Sequence, residues 1–183
     1  METIRYSVEN AVASITLDRP DKMNAFNAKL HEELLGALQR AQSDDDVRAL
    51  VLTGEGRAFC SGQDLTEAPK GPNLSETVRE RYNPLIETIA GLEKPVIAAV
   101  NGPAAGAGMS LALACDFRIA HEKANFVCAF INIGLIPDSG MLYFLPRLVG
   151  HAKAMELMTL GEKITAEEAK EFGLVSKVIA GDE

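Results

Sequence analysis

The chain has 183 residues, 47% of them apolar and 24% charged, which suits one sizeable globular core and falls short of two ordinary domains. Its 26 acidic against 18 basic residues leave a net charge of −8, which argues against a nucleic-acid partner, because binding the phosphate backbone draws on a basic face. A small anionic ligand stays open, since a few local Arg or Lys residues can offset a global negative field.

Two short alternating segments, 4–8 and 11–17, read as a hairpin. A polar loop over 19–24 follows, and Asn24 or Asn27 can cap the helix predicted over 28–42, where Leu30, Leu34, Leu35, Leu38 and Ala41 recur with helical spacing. Residues 48–53 read as a buried strand. Lys70-Gly71-Pro72-Asn73 is a breaker cluster and reads as a mobile loop. A helix is expected over 75–92, kinked or interrupted at Pro84. A strand over 96–100, an apolar helical stretch over 109–115 and short strands near 117–120 and 126–128 come next. Amphipathic helices are expected over 140–148, 152–160 and 166–172. The pattern means α/β or α+β.

Cys60, Cys115 and Cys128 are odd in number and form no Cys-x-x-Cys pair, so they read as buried free thiols in a reducing compartment. The N-terminus has no apolar signal core, and the run ending at Val100 stops at Asn101-Gly102-Pro103. A cytoplasmic protein without a membrane partner is the expectation. No His/Cys/acid cluster has metal-ligand spacing, so no metal is expected. His31 and His151 sit among polar residues on predicted helices, and no histidine has an evident chemical role.

Three features can carry chemistry. Ala58-Phe59-Cys60-Ser61-Gly62-Gln63-Asp64-Leu65 and Asn101-Gly102-Pro103-Ala104-Ala105-Gly106-Ala107-Gly108-Met109 are turns rich in glycine and small residues. They can serve packing as tight turns, or they can point two amides at one developing oxyanion, helped by a helix N-terminus. Gly106-x-Gly108 lacks the third glycine of a dinucleotide site. In Gly134-Leu135-Ile136-Pro137-Asp138-Ser139-Gly140 a single carboxylate lies between apolar residues and a new helix. It reads either as a desolvated proton carrier or as a helix N-cap.

In this order and spacing the three features resemble the crotonase (enoyl-CoA hydratase/isomerase) superfamily over nearly the whole chain. Leu17-Asp18-Arg19-Pro20-Asp21-Lys22-Met23-Asn24-Ala25 is similar to its CoA-contacting loop, and Lys94-Pro95 through Cys115-Asp116 to its second oxyanion segment. The resemblance implies an α/β fold, a ββα superhelix forming one core domain over 1–183. It implies oxyanion donors at the Gln63 and Ala107 amides and acyl-CoA contacts from Ala58, Gly62, Asp64, Leu65, Gly106 and Gly108, with Arg19 and Lys22 as candidates for phosphates. Asp64 also reads as a turn-stabilising carboxylate. The two glutamates of the family's hydratases fall on Ser110 and Phe130, which disfavours two-glutamate hydration.

Asp138 resembles the acid of a subgroup that isomerises ring 1,2-epoxyphenylacetyl-CoA in phenylacetate catabolism and also moves enoyl-CoA double bonds. The resemblance thus implies an isomerase with Asp138 as its catalytic residue and no cofactor, coenzyme A being part of the substrate. A hydratase or other lyase is the enzymatic alternative, and a non-catalytic acyl-CoA-binding or assembly module the alternative of another class. Family members usually continue past Ser176-Lys177-Val178-Ile179 into helices that cover the site and assemble trimers. The chain is therefore expected to lack that helical segment, to expose part of Met155, Leu157, Met158, Ala169 and Phe172, and to self-associate as a trimer or dimer of trimers.

Overall fold

The computed structural model describes residues 1–66 and 74–181. The expected hairpin forms from β1 (Ile4–Glu9) and β2 (Val12–Leu17), and β3 (Ala49–Gly54), β4 (Val96–Val100), β6 (Phe117–His121) and β9 (Lys177–Ile179) extend it. The order β1-β2-β3-β4-β6-β9 is antiparallel at the hairpin and parallel thereafter. A parallel neighbour needs a crossover segment. Helix α1 (Ala28–Ser43) fills the β2–β3 crossover, with Asn27 as its N-cap accepting the Leu30 amide at 2.9 Å. Its buried stripe contains Leu30, Leu34, Ala37, Leu38 and Ala41. Lys94 closes its far end, donating to the Ala41 and Asp44 carbonyls at 2.7 Å.

The β3–β4 crossover carries α2 (Leu74–Thr77), a π-helical turn (Val78–Tyr82) and α3 (Asn83–Gly91). The expected interruption at Pro84 takes this form. Proline cannot donate to the preceding turn, and the chain widens ahead of it, with the Asn83 amide reaching the Val78 carbonyl five residues back. The breaker cluster at 70–73 lies outside the described residues.

Helix α4 (Ala107–Ala114) is buried along its whole length between β4 and β6. Its C-terminal end is held by Arg118, a buried guanidinium that donates to the Ala112 and Leu113 carbonyls and, on the other side, to the Leu174 carbonyl at 2.6 Å. Helices α5 (Met141–Val149), α6 (His151–Leu160) and α7 (Ala166–Glu171) stand close to expectation. A second sheet, β5 (Ala104–Ala105), β7 (Asn125–Val127) and β8 (Lys163–Thr165), packs beside them. Strands β5, β8 and β9 carry too few residues to register as periodic patterns.

All three cysteines are free and buried. Among the described residues no helix is long and apolar enough to cross a membrane. The expectation that part of this face is exposed holds for Met155, which is exposed, and Phe172, which is partly buried, whereas Leu157, Met158 and Ala169 are buried by this chain's own packing. Leu65, Leu74, Ile133 and Ile136 are exposed and line one cavity, and Leu142 and Tyr143 on α5 and Leu160 on α6 are exposed as well.

Candidate active site

The two glycine-rich turns are strapped to each other. Ala105 donates to the Cys60 carbonyl at 3.0 Å and Cys60 to the Pro103 carbonyl at 3.2 Å, while Gly106 donates to Val127 of β7. Gly62 carries the first turn through φ +93°, a conformation that disfavours any Cβ; one placed there would also lie 2.9 Å from the Ala105 carbonyl oxygen and 3.5 Å from the Ala107 nitrogen. Gly108 is needed for a different reason. A Cβ would land on the Cys60 carbonyl and 2.8 Å from Cys60 Cβ, so glycine alone lets α4 start this close to the first turn.

The amide directions follow from the pairing. Phe26 donates to the Gly62 carbonyl at 2.7 Å and accepts from the Asp64 amide at 2.9 Å, a parallel bridge that turns the intervening Gln63 N–H away from Phe26. Ala107 is the first residue of α4, where a helix leaves its N–H without an intrahelical acceptor. Gly62, Gln63, Leu65, Gly106, Ala107 and Asp138 line one cavity of about 610 Å³. Its other walls come from the 74–83 segment and from Phe130, Ile133, Leu135, Ile136 and Pro137, which make it mostly apolar.

Asp138 enters from the loop ahead of α5. Its backbone carbonyl accepts from the Met141 amide at 3.0 Å and the Ser110 hydroxyl at 3.3 Å. The N-cap alternative does not hold, because Gly140 occupies the cap position of α5 and no side chain caps it. Ser139 has the strained φ of +52° for a residue with a side chain, and its hydroxyl donates to Asp138 Oδ1 at 2.7 Å. Burial raises the Asp138 carboxyl above its ordinary range, against the opposing hydrogen bond from Ser139. Among the described residues lining the cavity, Asp138 is the one carboxylate.

Several expected contacts are placed elsewhere. The Arg19 guanidinium turns inward to Asp64 at 3.1 Å and to the Ala25 carbonyl, with 12% of the side chain exposed; this runs against a phosphate contact, because the charge is engaged within the loop. Asp64 also accepts from the Thr66 hydroxyl at 2.6 Å, so it braces its turn. Hydrogen bonds from Thr66 outweigh burial and, with Arg19 adding, hold its carboxyl low. Ala58 is buried, its carbonyl accepting from Asn24 at 2.8 Å, and neither it, Asp64 nor Gly108 lines the cavity. Lys22 is exposed beside the rim, next to Ser61, whose amide bonds to the Met23 carbonyl. Among the described residues no group of three or more His, Cys, Asp or Glu is arranged to hold a metal.

The sequence reading missed an aromatic cluster behind the first turn. His31, expected among polar residues, is 5% exposed; it stacks on Phe26 at 4.6 Å and meets Tyr82 edge-on at 4.4 Å. The adjacent Glu32 and Glu33 disguise it, although position 31 lies three before Leu34 and seven before Leu38 and shares their face. Neither ring nitrogen has a hydrogen-bond partner among the described residues. Burial, with Arg81 adding, pushes its pKa down to about 4. Between about pH 6.5 and 4 the unfolded chain therefore holds the extra proton, and stability falls as the pH is lowered through that window. The expected loss from pH 7 to pH 4.5 is on the order of 2–3 kcal/mol, and His31→Phe should remove most of it. Urea unfolding of both proteins at the two pH values measures this; an equal loss in the variant would refute it.

A family model described as enoyl-CoA hydratase/isomerase matches residues 7–183. The chain belongs to the enoyl-CoA hydratase/isomerase family. It is 53% identical over 178 residues to a probable enoyl-CoA hydratase of Rhodobacter capsulatus, covering 97% of this chain and 68% of the relative. It is 48% identical over 184 residues to the 1,2-epoxyphenylacetyl-CoA isomerase of Escherichia coli, covering 98% and 70%. The crystal structure of an enoyl-CoA hydratase from Bacillus anthracis superposes with a TM-score of 0.91 at 39% identity, over 97% of this chain and 70% of that one. Similarity of this order to hydratases and isomerases alike establishes the crotonase fold and the enzyme family without choosing between the two reactions.

Proposed function

We propose that the protein is an acyl-CoA isomerase in which Asp138 shuttles a proton and the Gln63 and Ala107 amides hold the thioester oxygen. The observation that carries this reading is Asp138, the one carboxylate among the described residues that line an apolar cavity bounded by both glycine-rich turns. Two carboxylates suit the addition of water, one to activate it and one to protonate the product; at one end of this cavity stands Phe130, and behind Asp138 lies the buried Ser110. One carboxylate suffices to take a proton from carbon 2 of a 3-enoyl thioester and return it at carbon 4. In between, the enolate oxygen rests against the two amides, where the positive end of α4 adds to the field.

Similarity to the Escherichia coli isomerase favours 1,2-epoxyphenylacetyl-CoA as a substrate, alongside 3-enoyl-CoA. Similarity to the Rhodobacter capsulatus relative favours a hydratase as the second reading. Lys22 at the rim is the candidate cation for the coenzyme A phosphates. The exposed apolar side chains Ile131, Ile133, Leu142 and Tyr143 support self-association, as a trimer or dimer of trimers, which light scattering would test.

The deciding experiment offers the protein a 3-enoyl-CoA and, separately, a 2-enoyl-CoA, and follows absorbance of the conjugated thioester. The expected result is growth of absorbance from the first and, from the second, only the partial loss that brings both to the same equilibrium mixture, with no hydroxyacyl product. Hydration of the second at a comparable rate would overturn the isomerase reading in favour of the hydratase. Binding of both without turnover would favour a non-catalytic module.

A further inference from the structure

Gln63 is held by more than its backbone. Its side-chain Nε2 donates to the Phe26 carbonyl at 3.0 Å and to the Asp64 carbonyl at 3.2 Å. Its Oε1 accepts from the Tyr82 hydroxyl at 2.6 Å. Two carbonyl acceptors on one side and a hydroxyl on the other fix which end of the amide is which. Phe26, which pins the backbone on both sides of Gln63, also packs edge-on against the Tyr82 ring at 5.6 Å and flat on His31. Tyr82 is the last residue of the π-helical turn and is 5% exposed, yet it borders the cavity that holds Asp138. Such turns recur at functional sites because they aim a side chain that a regular helix would point elsewhere.

We propose that Tyr82 is a positioning residue for the oxyanion donor: its hydroxyl locks the Gln63 side chain and, through it, the direction of the Gln63 amide. The proposal rests on the reading of Gln63 as one of two donors. The hydroxyl is aimed at Gln63 by the ring's contacts with Phe26 and His31, and a Tyr without its acceptor would leave a buried donor unpaired. The same hydrogen bond joins the 74–83 wall of the cavity to the turn that carries the donor. An acyl group seated against Val78 or Asn83 is thereby coupled to the strength of carbonyl polarisation.

Tyr82→Phe removes the hydroxyl and keeps the ring. It is expected to lower kcat about three- to tenfold, the range one neutral hydrogen bond spans, with KM and melting temperature near native. The independent readout is the absorbance of bound cinnamoyl-CoA, which moves to longer wavelength when its thioester carbonyl is polarised by two donors. Native protein and Asp138→Asn should both show the full shift, and Tyr82→Phe a reduced one. In a Gln63→Met background, Tyr82→Phe should have no further effect on kcat.

A full shift with unchanged kcat in Tyr82→Phe would overturn the proposal, as would a loss of stability and affinity with the shift intact. Effects that multiply in the double variant would place Tyr82 on the substrate instead, and would equally overturn it. Absence of any shift in the native complex would instead defeat the donor assignment itself, and the proposal with it.

Discussion

Asp138→Asn is expected to lower isomerisation by about 10²–10⁴-fold, the usual contribution of a positioned acid–base group. Acyl-CoA affinity should stay near native, because asparagine is isosteric and its carbonyl oxygen can still accept from Ser139. What it cannot do is take a proton. Two further signatures separate this from general damage. The native rate should fall as pH is lowered through a carboxyl value above the ordinary range, where burial has placed it, and that limb should vanish in the variant. Stability should change the other way. A carboxyl raised in the folded state contributes stability at low pH that is lost as pH rises through its folded pKa, so the ionised form is a cost at neutral pH. Asp138→Asn removes that cost and should melt higher than native at pH 8. Steady-state kinetics, calorimetric binding and thermal melts on one preparation decide the matter, and near-native turnover would eliminate Asp138 as the proton carrier.

Gly108→Ala is expected to damage both stability and turnover. The new Cβ would meet the Cys60 carbonyl, backbone against backbone, and neither side has a flexible end that can swing away. Overpacking of this kind costs about 1–3 kcal/mol and occasionally more. The only relief is for the start of α4 to withdraw from the first turn, which separates the Ala107 and Gln63 amides. Loss of one donor lowers turnover about 10²–10³-fold, so the folded fraction should be nearly inactive. Gly36→Ala on the exposed side of α1 is the control: nothing lies within 4 Å of its added Cβ, and there alanine should stabilise by about 0.5–1 kcal/mol. Urea titration with activity normalised to folded protein measures both effects, and a fully active Gly108→Ala would refute the account of α4.

The hairpin and α1 were legible because apolar residues repeat in each: Ile4, Tyr6 and Val8 alternate in β1 although only Ile4 is buried, Ala13, Ile15 and Leu17 form the buried face of β2, and Leu30, Leu34, Leu38 and Ala41 recur by turns. In the second sheet only β7 was legible, as the short strand near 126–128; β5 and β8 are two and three residues long and pair across distant parts of the chain. At the site, the order of the glycine-rich turns and Asp138 stood out as a resemblance, but residue types alone left each with a plain packing or capping alternative. Arg19 shows the limit. A basic residue in a loop looks the same in sequence whether it meets a ligand phosphate or an internal acid, and Asp64, its partner, lies 45 residues away. His31 and Tyr82 were invisible for a related reason: what matters about each is the ring beside it, supplied by Phe26 from outside either helix.

The π-helical turn has a consequence for how the 74–91 segment tolerates change in length. A regular helix advances about 100° per residue, and a turn holding one extra residue rotates everything after it relative to everything before by about that angle. One continuous segment can thereby show Leu74, Thr77 and Val78 to the cavity while Leu85, Ile86 and Ile89 face the core. Deleting a single residue between 78 and 82 would barely shorten the segment. It would turn one half out of phase with the other, so that the aliphatic triad or the cavity wall, but not both, could keep its place. In this part of the molecule an insertion or deletion acts as a rotation.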